Sequence, residues 1–534
     1  MRVPEWTDRL WRVNGAARQG ADWLLVRYRC GPEQYPGDAA IAAVPAPERP
    51  PARTPGQADG WPSPTTLENH RLGVPGFTLT GPRFAGDHRH STGQIEAYAA
   101  ATSVEPGQGL AFHVSLAPAQ TYRVEVFRIG HYAGAGARSM TLSPWLDGTT
   151  QPPPERDQAT GALVCRWRPD WTLEVGEDWT SGCYLALLTN AAGYRAWVPF
   201  TVRQPGRAAD LLFVVPTSTY QARNVWPRRQ GTEQPDGFAL TTSDAAPGWR
   251  YGPRAEAVSH DRPFHGSGLP YLADRDLALA SWLEAAGQDV AYATSEDLHA
   301  GRVDPGRYRA VVLPGQDEYW SGPTRRWLAA ARNSGTSLLV FGARAGYWRV
   351  RYPAGERVVR CCQDRSDPGR WRHGSTGPWR ATRHPEQGLL GLQHVSAVRE
   401  PAPLVVTGGD HWLWAGTGAA EGDELPGVVA GEADQQFGDC PLPFHWDRAL
   451  LAASPFEGPG PATLVQHTQV YQAESGAWVF TAGTAGWTAA LTGGGPAAPV
   501  LDQATRNLLD RVRNRVFVPP NAIPRQARPW AWRR

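Results

Sequence analysis

A stretch in the middle of the chain, residues 308–352, constrains the fold more than any other. An apolar run, Ala310 to Leu313, ends at Pro314-Gly315, and a polar loop then leads into a helical segment. A second apolar run, Ser337 to Phe341, follows that helix. A strand, a helix and a second strand in this order are typical of parallel sheets with helices on their faces. The stretch therefore predicts an α/β domain.

The sequence before residue 205 has a different pattern of apolar and polar residues. Short runs in which apolar and polar residues partly alternate are separated by Gly, Pro and Asn, which is typical of a β-sandwich. The run from Leu211 to Val215 is continuously apolar, as in strands that are covered on both faces. We therefore predict a multidomain α+β protein, with a β-sandwich followed by a three-layer α/β domain that carries long Trp-rich insertions. The predicted boundaries are 1–56 for an N-terminal helical segment and Pro-rich linker, 57–205 for the sandwich, 206–518 for the α/β domain and 519–534 for a C-terminal tail.

The composition excludes several classes of protein. The chain contains no lysine, so all 53 basic residues are arginine. This excludes a pyridoxal-phosphate Schiff base and a phosphate-binding loop with its lysine. A G-x-G-x-x-G motif is also absent, so we do not expect NAD as a cofactor. The formal net charge is +2 without a long run of one sign, which argues against nucleic acid or a membrane surface as the partner.

The termini and the cysteines indicate where the protein works. The first residues, MRVPEWTDRLWRVNGAARQG, lack the continuous apolar core of a secretory signal. No stretch approaches the ~20 apolar residues of a membrane span. The six cysteines show neither C-x-x-C spacing nor the Cys/His spacing of a zinc site. We therefore expect a cytoplasmic protein with reduced thiols.

Three ionisable side chains follow the first apolar run of the central stretch: Asp317, Glu318 and Tyr319. In open α/β sheets, ligands bind just beyond the carboxyl ends of the strands. Two adjacent buried carboxylates raise each other's pKa, which suits a general base or a ligand of a hard metal ion. The alternative is a loop whose aspartate caps the following helix. We favour a catalytic site, with Glu318 as base or metal ligand, Tyr319 as ligand or proton donor, and Asp317 orienting one of them.

Two other segments carry candidate substrate-binding groups. The turn-rich segment SHDRPFHGSG contains His260 and His265, with an aspartate and an arginine between them. Loops over a rigid scaffold often carry binding groups, although Arg–Asp pairing in a solvated loop explains this segment equally well. Trp348 and Arg349 follow the second apolar run and are suited to wall a pocket, while packing alone also accounts for Trp348.

Weaker signals lie elsewhere in the chain. Glu432 and Asp434, in GEADQQFGDC, are possible ligands from the C-terminal portion, but an acidic pair in a loop is usually solvated. No G-x-S-x-G motif marks a serine nucleophile. Serine hydrolysis therefore has no support from a motif.

Several motifs resemble the large subunit of N,N-dimethylformamidase and its relatives. They occur in matching order over roughly residues 93–515, and they are YRVEVFRIGHYAGAGAR, SGCYLALLTNAAGYRAWVPFTVR, SWLEAAGQDVAYATSEDLH, GQDEYWS and SGAWVFTAGTAGW. The resemblance implies a β-sandwich followed by a glutamine-amidotransferase-like α/β domain. It also implies hydrolysis of a small amide at a mononuclear iron held by two tyrosines and a glutamate.

The iron ligands carry over only in part. Tyr319, in E-Y-W, matches one iron-binding tyrosine. The second tyrosine is expected in a Tyr-Asp pair at a position where this chain reads Arg275-Asp276. The glutamate is expected in a Gly-Glu-Tyr context, and the comparable region from Gly374 to Ala381 contains none. The resemblance thus implies iron as the cofactor, with Tyr319 as its matched ligand.

The leading functional prediction is a hydrolase of the C–N bond in a small or medium amide, in specialised metabolism. Amide hydrolysis needs an activated water and a stabilised oxyanion, and we expect Arg349 or His265 to hold the substrate carbonyl. The alternative is a non-catalytic binding or scaffolding protein that kept the family fold. Because the family's enzyme is multimeric and the Trp/Arg-rich end PRQARPWAWRR fits an interface, we also expect a homo-oligomer.

Overall fold

The computed structural model describes residues 62–77, 79, 93–227, 239–240, 254–353, 355–362 and 376–514. The predicted N-terminal helical segment with its linker (1–56) and the C-terminal tail (519–534) lie outside the described residues. Within the described ranges the chain has the mixed α+β content that the sequence predicts. None of the helices there combines the length and the apolar character that crossing a membrane requires.

The first described part of the chain is built mainly from strands. Its elements are helix α1 (Pro64–Asn69) and strands β1 (Ile95–Ala99), β2 (Ser103–Val104), β3 (Gly109–Leu116), β4 (Thr121–Ile129), β5 (Ala137–Leu142), β6 (Leu146–Asp147), β7 (Glu155–Arg156), β8 (Leu163–Val164), β9 (Trp171–Glu174), β10 (Gly182–Asn190) and β11 (Arg195–Val202).

These strands form two main sheets. The first contains β1, β3 and β9, and the second contains β2, β11, β10, β4 and β5 side by side, with β6 next to β4. Strands β10 and β11 form an antiparallel hairpin. Alternate residues of both sheets, such as Phe112 and Val126, meet in one buried cluster. The alternating pattern of the sequence is explained by this single shared core.

After residue 205, the chain contains both strands and helices. The elements are β12 (Ala209–Val215), α2 (Thr217–Ala222), β13 (Ala257–Ser259), α3 (Ala273–Ala285), β14 (Val290–Thr294), α4 (Ser295–Ala300), β15 (Tyr308–Leu313), β16 (Tyr319–Ser321), α5 (Gly322–Asn333), β17 (Ser337–Val340), β18 (Trp348–Val350), β19 (Val358–Arg360), β20 (Gly377–Pro378), α6 (Gln387–Leu390), β21 (Gln393–Ala397), β22 (Ala402–Val405), β23 (Glu424–Val429), β24 (Glu432–Gln435), β25 (Asp447–Glu457), β26 (Thr463–Gln472), β27 (Trp478–Thr481), α7 (Trp487–Thr492) and α8 (Ala498–Arg513).

Seven of these strands form the central sheet, in the order β14-β12-β15-β17-β27-β26-β25. The first five run parallel, and β26 and β25 are antiparallel to their neighbours. The three apolar runs that the sequence singles out supply β12, β15 and β17, which are adjacent in this sheet. The carboxyl ends of these strands therefore share one edge.

Both faces of the central sheet are covered. Successive residues of a strand point to opposite faces, and on β12 Leu211 and Phe213 join a buried cluster with helices α3, α7 and α8. Leu212 and Val214 join a second cluster with α4 and α5. A strand covered on both sides must be apolar throughout, which explains the continuous run in the sequence.

The second sheet of the N-terminal part packs against the same helices. Phe127, Leu185 and Trp197 from that sheet belong to the buried cluster that contains α3. The backbone N–H of Trp197 donates to the carbonyl oxygen of Ser267 at 2.8 Å, in the loop that leads to α3. Gly268 has φ of 85°, and a Cβ there would lie 2.1 Å from the Trp197 carbonyl oxygen. This close approach requires glycine.

Candidate functional site

Segments that follow the carboxyl ends of four neighbouring parallel strands meet at one edge of the central sheet. They carry Thr219 after β12, Glu296 after β14, Glu318 after β15 and Arg344 after β17. In sheets of this kind ligands bind at this edge. The segment 317–319 lies here, as the order of elements in the sequence predicts.

Glu318 is fully buried, and its carboxylate lies between two guanidinium groups. Arg223, which follows helix α2, pairs with one oxygen, and Nε of Arg344 lies 3.6 Å from the other. The backbone N–H of Glu318 donates to Oγ1 of Thr219 at 3.0 Å. Buried charges persist when they are paired in this way. Glu318 thus ties together the loops that follow β12, β15 and β17.

Arg344 connects Glu318 to a second pair of carboxyl groups. Its Nη1 donates to Oε1 of Glu432 at 2.9 Å, and its backbone N–H donates to Oδ1 of Asp434 at 2.8 Å. Burial raises the pKa of Asp434 to about 7. The structure therefore brings to this edge the acidic pair that the sequence marks as possible ligands.

His394, on β21, lies beside the same carboxylate. Its Nε2 is 3.6 Å from Oε2 of Glu432. Burial, together with the charges of Arg344 and Arg380, holds the pKa of His394 well below its usual value. The imidazole is therefore neutral at physiological pH.

Tyr319 is buried next to this group. Its ring stacks on Trp348, with ring centroids 6.3 Å apart. No described residue forms a hydrogen bond with the Tyr319 hydroxyl. Burial and the nearby charge of Glu318 raise the pKa of the phenol well above its usual value. Tyr319 is therefore a neutral phenol under physiological conditions.

The donors around Tyr319 do not form the iron site that the resemblance implies. Where a second tyrosine is expected, Arg275-Asp276 stands in the first turn of α3. The two nearby carboxylates, Glu318 and Glu432, already face guanidinium groups, whose positive charge opposes a metal cation. In the described ranges, no three side chains of His, Cys, Asp or Glu are close enough together to hold a metal ion. These residues do not fit a site of two tyrosines and a glutamate.

A cavity of about 60 Å³ lies on the other side of α2, between the second sheet and the edge of the central sheet. Its wall is mainly apolar, with a few polar groups, as is typical of small-molecule sites. Aromatic rings from both parts of the chain line it, and the groups used below are Tyr98, Phe200, Phe213, Thr217, His260 and Asp276.

Asp276 places a carboxyl group in the wall of this cavity. The hydroxyl of Tyr220 donates to its Oδ2 at 2.6 Å, while no donor among the described residues reaches Oδ1. Burial raises the pKa of Asp276 to about 7, although the hydrogen bond from Tyr220 lowers it. A carboxyl group that titrates near neutral pH and has one oxygen without a hydrogen-bond donor is suited to proton transfer.

Asp317 interacts electrostatically with Asp276. Burial raises the pKa of Asp317 to about 7, and the charges of Glu296 and Glu318 add to this effect. The charge of Asp317 in turn raises the pKa of Asp276. Asp317 therefore stands next to Glu318 at the sheet edge, and its charge also reaches Asp276 in the cavity wall.

His260 faces Glu296 at the cavity, with Nε2 and Oε1 3.2 Å apart. Glu296 also accepts hydrogen bonds from the hydroxyls of Thr102 and Tyr352, each at 3.0 Å, and from Thr217. Burial raises the pKa of this carboxyl group, but His260 and the threonine hydroxyls outweigh burial and lower it to about 2. Glu296 therefore stays ionised.

The remaining candidate residues are spread over different places. The backbone N–H of His265 donates to Oδ1 of Asn224 at 3.1 Å. The guanidinium of Arg349 lies 5.1 Å above the ring of Trp379. The structure thus brings the candidate residues Asp317, Glu318, Tyr319 and Trp348 together at the sheet edge. His260 lies in the cavity wall, whereas His265 and Arg349 contact other residues.

Sequence reasoning missed Asp276, Arg223 and Arg344 as site residues. Asp276 stands in the first turn of a helix, where aspartates are favoured by the helix dipole whether or not they face a cavity. Arg344 stands in G-A-R-A-G, where the flanking glycines suggested close backbone approach. An arginine enclosed by glycines after a strand is the signal that would have pointed to it.

Comparisons with known proteins add a family assignment. A family model described as N,N-dimethylformamidase beta subunit-like, C-terminal, matches residues 123–501. No curated protein matches the chain.

Two solved structures show low similarity to the chain. A cycloisomaltooligosaccharide glucanotransferase from Paenibacillus sp. is 12% identical with a TM-score of 0.15, and the match covers 25% of this chain and 18% of that one. A superoxide reductase (neelaredoxin) variant from Ignicoccus hospitalis is 13% identical with a TM-score of 0.14, covering 23% of this chain and 91% of that one. At these scores neither structure supports a statement about fold or function.

Proposed function

Because the chain belongs to the N,N-dimethylformamidase beta subunit-like family, we propose that it hydrolyses the C–N bond of a small or medium amide in the cavity beside Asp276. The observation that carries this proposal is a carboxyl group in the cavity wall whose pKa is about 7, with one oxygen held by Tyr220 and the other without a hydrogen-bond donor among the described residues. The apolar wall suits an amide with a small aliphatic substituent.

The proposed chemistry uses Asp276 twice. The ionised carboxylate takes a proton from water at Oδ1 while the water oxygen attacks the carbonyl carbon. The protonated carboxyl group then returns the proton to the leaving nitrogen as the C–N bond breaks, giving a carboxylic acid and an amine. His260 lines the cavity and is the group proposed to hold the carbonyl oxygen.

In this proposal the charge of Asp317 raises the pKa of Asp276. Glu318 takes no part in proton transfer and instead has a structural role. Both oxygens of Glu318 face guanidinium groups, so the carboxylate is engaged in ion pairs. Its contribution is to fix the loops that form the edge. Tyr319 and Trp348 support the same loops from the buried side.

The variant Asp276→Asn tests the proposal. Across a panel of formamides, acetamides and anilides, we expect wild-type hydrolysis of at least one substrate and a loss of about 10²–10⁴-fold in kcat for the variant. Asp274→Asn is the matched control, since Asp274 lies two residues earlier in the same helix and is exposed. Equal activity of Asp276→Asn and wild type would rule out this role for Asp276.

A second candidate is a non-catalytic binding protein of the same family. The observation in its favour is that Glu318 and Tyr319 are sealed from solvent, with 0% and 1% exposure. Calorimetric titration of the same amide panel separates the two proposals. Binding without turnover would support the second one.

Three finer predictions belong to the same proposal. We interpret the first two sheets as the β-sandwich and the seven-stranded sheet as the glutamine-amidotransferase-like domain. We also propose a homo-oligomer, supported by the subunit named in the family description. Light scattering of the full chain and of a chain ending at Pro520 tests whether the C-terminal tail forms the interface, because an unchanged mass would exclude it.

A further inference from the structure

The group formed by Glu318, Tyr319, Arg344, His394 and Glu432 has the composition of a cation site. Two carboxylates, a phenol and a neutral imidazole supply oxygen and nitrogen atoms of the types that hold first-row divalent metals. Among the described residues, Glu318 Oε2, the Tyr319 hydroxyl, His394 Nδ1 and Glu432 Oε2 are buried without a hydrogen-bond partner. Buried polar atoms of this kind call for an explanation.

A positive charge already lies within this group. The guanidinium of Arg344 contacts both carboxylates, with Nη1 2.9 Å from Glu432 and Nε 3.6 Å from Glu318. The carboxylates raise the pKa of Arg344, although burial acts in the opposite direction. The group therefore surrounds a permanent cation.

The charges in this group balance without a metal ion. Glu318 and Glu432 face two guanidinium groups, those of Arg223 and Arg344. A divalent ion added among them would leave two buried positive charges without partners, which is strongly unfavourable. A metal ion and Arg344 thus exclude each other.

The backbone shows that the Arg344 position is constrained. Its φ is 62°, in the left-handed region, where side chains beyond glycine are strained. The hydrogen bond from its N–H to Asp434 holds this conformation. Glycine would adopt it without strain, so the site keeps a strained arginine where the backbone alone favours glycine.

We infer that the guanidinium of Arg344 is the resident cation of this group and takes the place of a metal ion, so that the protein needs no metal. The inference concerns the group around Arg344 and does not depend on hydrolysis at Asp276. It is tested by metal content and thermal stability, whereas the proposed function is tested by hydrolysis. Either one can therefore fail while the other stands.

The experiment compares wild type with Arg344→Gly. Wild type is expected to contain far less than one metal ion per chain by mass spectrometry, and its Tm is expected to stay the same with a chelator, Zn²⁺ or Co²⁺. The Arg344→Gly substitution relieves the strain of the left-handed backbone. It also leaves the two buried carboxylates with only the guanidinium of Arg223 to balance their charge. We expect a lower Tm that Zn²⁺ restores by several degrees, with visible Co²⁺ bands that report coordination.

Arg383→Gly is the matched control. Arg383 also has a left-handed φ, of 66°, but it is exposed, so its Tm is expected to be insensitive to Zn²⁺. One metal ion per wild-type chain would overturn the inference, as would an Arg344→Gly variant whose Tm does not respond to metal.

If Arg344→Gly fails to fold, Arg344→Lys decides the question. The lysine variant keeps a cation and should remain metal-independent, and a metal requirement would overturn the inference.

Discussion

Arg128 and Glu284 form an ion pair that is closed to solvent on both sides, with Nη2 and Oε1 2.8 Å apart. Arg128 lies on β4 and Glu284 on α3, so the pair joins the N-terminal sheets to the α/β part of the chain. The hydroxyl of Tyr292 and the amide of Asn69 also donate to this carboxylate, at 2.8 and 2.7 Å.

Loss of the Glu284 charge should destabilise the protein strongly. Glu284→Gln leaves the Arg128 guanidinium buried without its counter-charge, and we expect the free energy of unfolding to fall by about 3–5 kcal/mol in chemical denaturation. The exposed pair of Arg166 and Glu155 is the control, and Glu155→Gln should leave the free energy of unfolding almost unchanged. The double variant Arg128→Met/Glu284→Leu should be more stable than Glu284→Gln; a larger loss in the double variant would contradict this account.

Stability should depend on pH through three buried aspartates. Asp276, Asp317 and Asp434 each have a pKa of about 7 in the folded protein because of burial, against about 3.9 in an unfolded chain. The folded state binds these protons more tightly, so their contribution to stability is complete below about pH 4 and is lost as the pH rises through 7. Each group contributes a slope of about 1.4 kcal/mol per pH unit in that window.

Asp434→Asn tests this pH dependence. Urea denaturation between pH 4 and 7 should give a shallower fall in the free energy of unfolding for the variant than for wild type. Asp447→Asn, at an exposed strand position, should keep the wild-type slope. Identical slopes for wild type and Asp434→Asn would show that the carboxyl group is already ionised at low pH.

The pH profile of hydrolysis should follow Asp276. The reaction needs the ionised carboxylate, so kcat/KM should rise with pH around a midpoint near 7. The hydrogen bond from Tyr220 lowers this pKa, and Tyr220→Phe should therefore move the midpoint to higher pH. Tyr308→Phe, a buried tyrosine that does not line the cavity, should leave the midpoint in place. A shift toward lower pH in Tyr220→Phe would contradict the assignment.

Close approach of two loops at the sheet edge requires Gly342. A Cβ at this position would lie 1.4 Å from the carbonyl oxygen of Gly315, so the loops after β15 and β17 would have to separate. We expect Gly342→Ala to lower the free energy of unfolding by about 1–3 kcal/mol. Gly388→Ala, where a Cβ meets nothing within 4 Å, should not reduce stability. Thermal denaturation of the two variants provides the comparison.

The sheet was predictable because its signal is local. The run Leu211 to Val215 is apolar at every position because both faces of β12 are covered. Five consecutive apolar residues are enough to recognise such a strand in the sequence. The position of Asp317 and Glu318 beyond a strand end was predictable for the same reason. Neighbouring residues determine both features.

The environment of those carboxylates was not predictable, because it depends on residues far apart in sequence. Arg223 reaches Glu318 across 95 positions, and Glu432 meets Arg344 across 88. A buried Asp276 and an exposed Asp274 also look alike in a helical first turn. Only the fold decides which carboxyl group faces a cavity and which is neutralised by an arginine.

The cavity takes Phe200 from a strand of the second sheet and Phe213 and Asp276 from the α/β part. Neither part of the chain encloses the cavity alone, so neither part can be exchanged without changing the cavity wall. Changes in ligand preference are expected to arise as paired substitutions, one on each side of this boundary. Chimaeras that join the two parts from different relatives should fold more often than they bind.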